Sequence, residues 1–128
     1  AKCAFPDKNV FCLTGDGGLW YHFTELETAV RSDIPTITIV NNNNALNQEY
    51  DIFMNAYDGK PSNRWTEMWY FNKVSFAELA NNMGAFGIRV TKPNDIKDAV
   101  KEAMKSKKPS IVEIDGDINA LAPTAWSK

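Results

Sequence analysis

Two short apolar runs constrain this chain more than any other feature. Residues 10–14 (Val-Phe-Cys-Leu-Thr) lead into Gly15-Asp16-Gly17-Gly18, and residues 37–40 (Ile-Thr-Ile-Val) lead into Asn41-Asn42-Asn43-Asn44. Both runs are short and rich in β-branched or aromatic residues, as buried strands of a parallel sheet are. The segment between them places Phe23, Leu26, Ala29 and Val30 on one helical face over about residues 23–32. Asp33-Ile34-Pro35 ends it, because a residue before proline avoids the helical region. Strand, helix and strand then form a βαβ unit, with the two strand ends side by side at the sheet edge where open α/β sheets bind ligands. Asp16 and Asn43 would meet at that edge beside glycine backbone.

The chemistry of such a meeting is specific. Glycines expose backbone N–H groups to an anion, and a following helix adds its positive end. A carboxylate in the same place repels phosphate unless a cation lies between them. Magnesium takes oxygen ligands and is commonly held by few protein groups plus substrate phosphates. Asp16 and the side-chain oxygen of Asn43 suit that ion, so the pattern points to a magnesium-bridged diphosphate. Neither Gly-x-Gly-x-x-Gly nor Gly-Lys-Ser/Thr follows the first strand, which argues against NAD and Walker-type nucleotide binding.

The spacing also carries a family resemblance. Gly15-Asp16-Gly17, then the 24 residues from Gly18 to Asn41, then Asn42-Asn43 resembles the thiamine diphosphate motif of acetolactate synthase, pyruvate oxidase and pyruvate decarboxylase relatives. Residues 23–31 resemble the helix that follows the motif there. Phe76-Ala77-Glu78-Leu79-Ala80, Met83-Gly84 and Gly87-Ile88-Arg89-Val90 resemble the family's next unit. The resemblance implies that Asp16, Asn43 and the Ala45 carbonyl are magnesium ligands. It also implies that Gly15, Asp16, Gly17, Gly18, Asn43, Ala45 and Leu46 contact the cofactor. It further implies an activating glutamate on a pyrimidine-binding domain that this chain lacks, a small 2-oxo acid as substrate, and FAD as an option in the whole protein. His22 stands where relatives often carry Thr, Trp20-Tyr21 is bulkier than usual, and residues 44–49 continue the motif in a less common way.

Composition excludes other classes. The 128 residues suffice for one domain; they are 44% hydrophobic and 23% charged, with a formal net charge of −2. That balance gives no reason to expect nucleic acid or a membrane surface. No apolar run reaches the roughly 18 residues of a membrane helix, and no signal-peptide pattern is present. Cys3 and Cys12 are too few for a structural zinc site and read as reduced thiols in a cytoplasmic protein, with Cys12 in the core. Residues 1–5 read as the tail of a helix, so the domain is expected to begin before this chain does.

The lone histidine, His22, is open to two readings: a hydrogen-bonded structural residue, or the chain's one catalytic candidate, touching substrate or diphosphate. Glu25 and Glu27 read as structural or surface residues, with Glu25 able to orient a ligand from behind. Residues 46–57 suggest a short irregular helix, and 58–63 a turn cluster. The aromatic group Trp65, Trp69, Tyr70 and Phe71, with Met68, reads as an interface or cleft lining, with core packing as the alternative. Ser75 and Glu78 form a capping box for a helix that Gly84 stops. Residues 87–90 form a strand. Pro93-Asn94 starts a further helix bearing Ile96, Ala99, Val100, Ala103 and Met104 on one face and lysines at its end. Residues 110–115 form the last strand. Asp115-Gly116-Asp117 reads as an exposed turn in preference to a second metal site. The tail from residue 120 carries no pattern.

The expected fold is a three-layer αβα sandwich with a mainly parallel sheet, a single diphosphate-binding domain. The expected function is the Mg²⁺- and thiamine diphosphate-binding part of a 2-oxo acid carboligase, acetolactate synthase-like. The alternatives are a lyase or decarboxylase of another 2-oxo acid or acyl-CoA, or a non-catalytic diphosphate- or nucleotide-binding regulatory module. A homo-oligomer completed by a pyrimidine-binding domain is expected.

Overall fold

The computed structural model describes residues 1–120. Four parallel strands, β1 (Phe11–Gly15), β2 (Ile37–Asn42), β3 (Phe86–Val90) and β4 (Ser110–Asp115), form one sheet in the order β1-β2-β4-β3. The helices are α1 (Asp16–Trp20), α2 (Glu25–Arg31), α3 (Glu49–Ala56), α4 (Phe76–Asn82) and α5 (Ile96–Ser106). Single 3₁₀ turns at Trp65–Met68 and Pro93–Asp95 complete the described elements. This is the three-layer parallel α/β architecture that the strand patterns imply.

Strand periodicity sorts the core into two layers. Val40 and Ile111 face one side and pack with Leu19, Phe23, Phe76, Ala80 and Ala85 beneath α1, α2 and α4. Ile37, Val90 and Val112 face the other and pack with Ala99 and Ala103 of α5. Val40 and Val112 are fully buried, which fixes β2 and β4 as the central pair. Met104 shares the α5 pattern but lies at its margin, partly exposed. Residues 1–5 form a hydrogen-bonded turn, with Ala4 N and Phe5 N both donating to Ala1 O at 3.0 Å.

Two expectations fail at β1. The strand was expected to be buried, yet Phe11, Cys12 and Leu13 are exposed, Leu13 to 79%. Among the described residues β1 pairs only with β2, so it is the sheet edge, and an apolar pattern cannot report what covers an edge. Cys12 is therefore an exposed free thiol, as is Cys3. The crossover also differs. The glycine segment is not a plain turn: α1 begins at Asp16 itself, with Gly15 as its extended N-cap, and α2 then falls within the helix expected over about residues 23–32.

Other local signals hold. Ser75 Oγ accepts the Glu78 N–H at 3.3 Å and caps α4. Gly84 stops that helix with φ +85°. The 46–57 helix is shorter than expected, spanning Glu49–Ala56. The aromatic group packs within the chain around Trp69, whose ring meets Tyr50, Trp65 and Tyr70 at centroid distances of 5.7, 5.2 and 4.3 Å. Trp69 is buried, while Met68 and Tyr70 are exposed. No described helix is long and apolar enough to cross a membrane.

Candidate magnesium–diphosphate site

Strand register builds the site. Gly15 and Asn41 are partners in the β1–β2 ladder, so the residues after each strand emerge next to one another at the carboxyl edge. Asp16 opens α1, and its carboxylate is buried. Its Oδ1 accepts the Gly17 N–H at 2.7 Å, and its Oδ2 accepts the Ala45 N–H at 3.1 Å. Asn43 Oδ1 accepts the same Ala45 N–H, also at 3.1 Å. Two side-chain oxygens from remote parts of the chain thus converge on one donor. Among the described residues no Lys, Arg or His forms an ion pair with Asp16.

The asparagine run is shaped by two successive side-chain-to-backbone turns. Asn42 Oδ1 accepts from Asn44 N at 3.1 Å, and Asn43 accepts from Ala45 N as described. Asn44 lies in the left-handed region at φ +58°, a conformation asparagine tolerates. Ala45 then forms an antiparallel bridge with Tyr70, made by Leu46 N to Trp69 O and Phe71 N to Asn44 O, both 2.8 Å. In that pattern the N–H and C=O of Ala45 both face away from Tyr70. The N–H reaches Asp16 and Asn43, so the carbonyl opens on their side.

A cleft of about 280 Å³ lies at this point. Gly15, Asp16, Gly17 and Gly18 line one wall, and Asn43, Ala45 and Leu46 the other. Every residue of the expected cofactor set is therefore gathered here. Two of the glycines are closely approached by side chains that a methyl group would have to displace. A Cβ on Gly17 would come within 2.5 Å of Leu46 Cδ2, and one on Gly18 within 2.7 Å of Thr14 Oγ1. α1 has only five residues, so the macrodipole expected from the sequence contributes little.

These residues fit magnesium. One buried carboxylate without an ion-pair partner, one amide oxygen and one open carbonyl make a hard oxygen donor set that leaves positions for phosphate and water. No group of three His, Cys, Asp or Glu is present among the described residues, so the donors do not favour a transition metal.

His22 is not in this cleft. It is exposed and lines a neighbouring, mostly apolar cavity of about 250 Å³ together with Cys12, Thr14 and Glu25. Gly18 is common to both cavities. Asp115 makes a two-pronged ion pair with Arg89 at 2.7 and 2.9 Å. Hydrogen bonding to Asp115, then its charge, raises the Arg89 pKa further above its ordinary value. Asp115 is the last residue of β4 and its carboxylate is already engaged, and the expected turn comes later, at residues 118–119.

Gly116, just after β4, adjoins the asparagine run without lining the cleft. Its N–H donates to Asn42 O at 2.9 Å. A Cβ there would lie 2.3 Å from Asn41 Oδ1 and 3.3 Å from Asn43 Cβ. Gly116→Ala should leave the fold intact, because the atom it meets most closely belongs to an exposed side chain. It should weaken magnesium binding by about tenfold, as displacing a ligand's support does. Titration of the variant with Mg²⁺ checks this, and an unchanged affinity would show that Asn43 does not lean on Gly116.

Comparison with known proteins accords with this geometry. Residues 1–114 match the family described as "Thiamine pyrophosphate enzyme, C-terminal TPP binding domain", and the chain belongs to that family. It is 34% identical over 114 residues to a probable acetolactate synthase large subunit of Methanocaldococcus jannaschii, covering 89% of this chain and 19% of that protein. It is 34% identical over 118 residues to a sulfoacetaldehyde acetyltransferase of Alcaligenes xylosoxydans, with the same coverages. Among solved structures, it is similar to a thiamine diphosphate-dependent 4-hydroxybenzoylformate decarboxylase of Rhodococcus jostii. The TM-score is 0.77 at 26% identity, covering 91% of this chain and 21% of that one. The chain thus spans about one fifth of the length of the relatives it matches.

Proposed function

We propose that this chain is the magnesium–thiamine diphosphate anchor of an acetolactate synthase-like carboligase acting on 2-oxo acids. The observation that carries this reading is the convergence of Asp16 Oδ2 and Asn43 Oδ1 on one point of a glycine-lined cleft. In such enzymes the bound cofactor supplies the carbanion chemistry by which a 2-oxo acid is decarboxylated and joined to an acceptor. The chain's own residues do the holding. Asp16 and Asn43, with the Ala45 carbonyl, take the metal ion. Gly17 and Gly18 let backbone approach the diphosphate, and Leu46 packs against Gly17.

The reading extends to partners. The group that activates the aminopyrimidine would come from a pyrimidine-binding domain outside these 128 residues, within a cytoplasmic homo-oligomer, with FAD as an option. A decarboxylase of another 2-oxo acid is the second reading, favoured by the similarity to the 4-hydroxybenzoylformate decarboxylase. Activity assays of the whole protein with pyruvate against aryl 2-oxo acids separate the two.

Calorimetry tests the anchor itself. The chain should bind thiamine diphosphate weakly and only with Mg²⁺, in preference to NAD and ATP, and should not turn over pyruvate alone. Binding that ignores Mg²⁺ would refute the metal bridge. Cofactor-dependent turnover by the isolated chain would refute the need for a second domain.

A further inference from the structure

The buried carboxylate of Glu113 takes no part in the anchor described above. Glu113 lies in the middle of β4 at 1% exposure, opposite Val40 of β2. Strand alternation turns its side chain to the same face as Ile111, under the start of α4. Three donors, one from β2 and two from the start of α4, meet it there. Asn42 Nδ2 donates to Oε1 at 2.7 Å, and Ser75 Oγ and Ala77 N donate to Oε2 at 2.9 and 3.0 Å. A glutamate in a central strand, saturated by donors that a smaller polar residue could not span, is costly to keep unless it fixes something.

What it fixes is Asn42. The Asn42 amide is fully engaged: Nδ2 donates to Glu113 Oε1 and to Val74 O at 3.1 Å, and Oδ1 accepts from Asn44 N. Turning the amide over would set its oxygen against two oxygens, so Glu113 sets the rotamer and Asn42 in turn sets Asn44. Asn44 N is the point at which the chain turns into the left-handed conformation that presents Asn43 and Ala45 to Asp16.

We propose that Glu113 is a positioning residue for the magnesium site, acting through Asn42 to hold the Asn43–Ala45 turn in metal-binding geometry before the ion arrives. The proposal rests on the magnesium–diphosphate reading of the cleft. Glu113→Gln keeps the size but offers an NH₂ group to at least one existing donor. It should raise the Mg²⁺ dissociation constant for thiamine diphosphate binding about tenfold, the lower range for losing a ligand's support.

The same variant should speed amide hydrogen exchange at Asn44 and Ala45 in the metal-free chain, with exchange in α5 unchanged. Asn42→Ala cuts the link from its other end and should give both effects, and the double variant should be no worse than the worse single one. Ser75→Ala is the contrast. It removes another Glu113 partner and the α4 cap, so it should lower Tm while leaving Mg²⁺ affinity within about twofold.

The outcomes separate cleanly. If the unaltered chain shows no Mg²⁺-dependent binding, the anchor reading falls, and the exchange rates still report whether Glu113 holds the turn. Unchanged affinity and unchanged exchange in folded Glu113→Gln would overturn the proposal. If that variant does not fold, Asn42→Ala decides by the same two readings. An equal loss of affinity in Ser75→Ala would make Glu113 a general packing residue instead.

Discussion

Asp16→Ala is expected to abolish magnesium-dependent thiamine diphosphate binding, with affinity falling by about 100-fold or more, beyond the range for losing an outer support. The magnitude follows from the donor set. Asp16 supplies the only carboxylate among the three expected ligands, and neither an amide nor a carbonyl oxygen carries a charge to set against a divalent ion. The cost to folding should be small by comparison. Ala45 N keeps Asn43 Oδ1 as an acceptor at 3.1 Å, and only Gly17 N loses its partner. A lost hydrogen bond of that kind costs about 1 kcal/mol, and relieving a buried charge offsets part of it. Asp16→Asn should separate charge from shape, keeping the size and one of the two hydrogen bonds, since its NH₂ group cannot accept an N–H, while still losing most of the affinity. Calorimetry alongside thermal unfolding checks the pair. Retained binding in a folded Asp16→Ala chain would remove this residue from the site.

Much of that site was legible because it rests on short-range rules. β-branched runs ending in glycine and asparagine give strands whose tips adjoin, and the register partners Gly15 and Asn41 follow from that topology. The capping box at Ser75 and the stop at Gly84 depend only on neighbouring residues. What escaped depends on distant ones. α1 was missed because two of its five residues are glycines, whose propensity argues against a helix; the burial of Leu19 and Gly17 overrides it. Cys12 was misplaced because an edge strand and a central strand share one apolar pattern. Nothing in the 110–115 strand pattern marks Glu113, because its partners lie 71, 38 and 36 positions away. Within the asparagine run, strand parity explains the division of labour. Asn42 is the last strand residue and turns inward on the Val40 face, so the residue after it is free to face the cleft.

Gly87→Ala should be the most damaging single-methyl change among the glycines. An ideal Cβ at Gly87 would lie 1.9 Å from the Ala77 carbonyl oxygen and within 2.8 Å of the Ala77 Cα and C. These are backbone atoms in the first turn of α4, so no side-chain rotation relieves the clash. Asn81 also ties the two elements, bonding both the N–H and the C=O of Gly87 at 2.8 and 3.0 Å. The helix must therefore lift off the sheet or the strand must bend. Overpacking of this kind costs about 3 kcal/mol, at the upper end for an added methyl because the obstacle is main chain. Denaturant unfolding should show it as a lower midpoint with an unchanged slope. The displacement reaches further than β3. A lifted α4 withdraws Ala77 N and the capping Ser75 Oγ together and leaves Glu113 Oε2 without a partner, where Ser75→Ala removes only one of the two, so the carboxylate that orients Asn42 is freed to move. A folded Gly87→Ala chain should then bind Mg²⁺ less tightly although residue 87 is on neither wall of the cleft. A stability loss below about 1 kcal/mol, small for this class of change, would mean that α4 yields without strain and that its contact with the sheet does not fix the site.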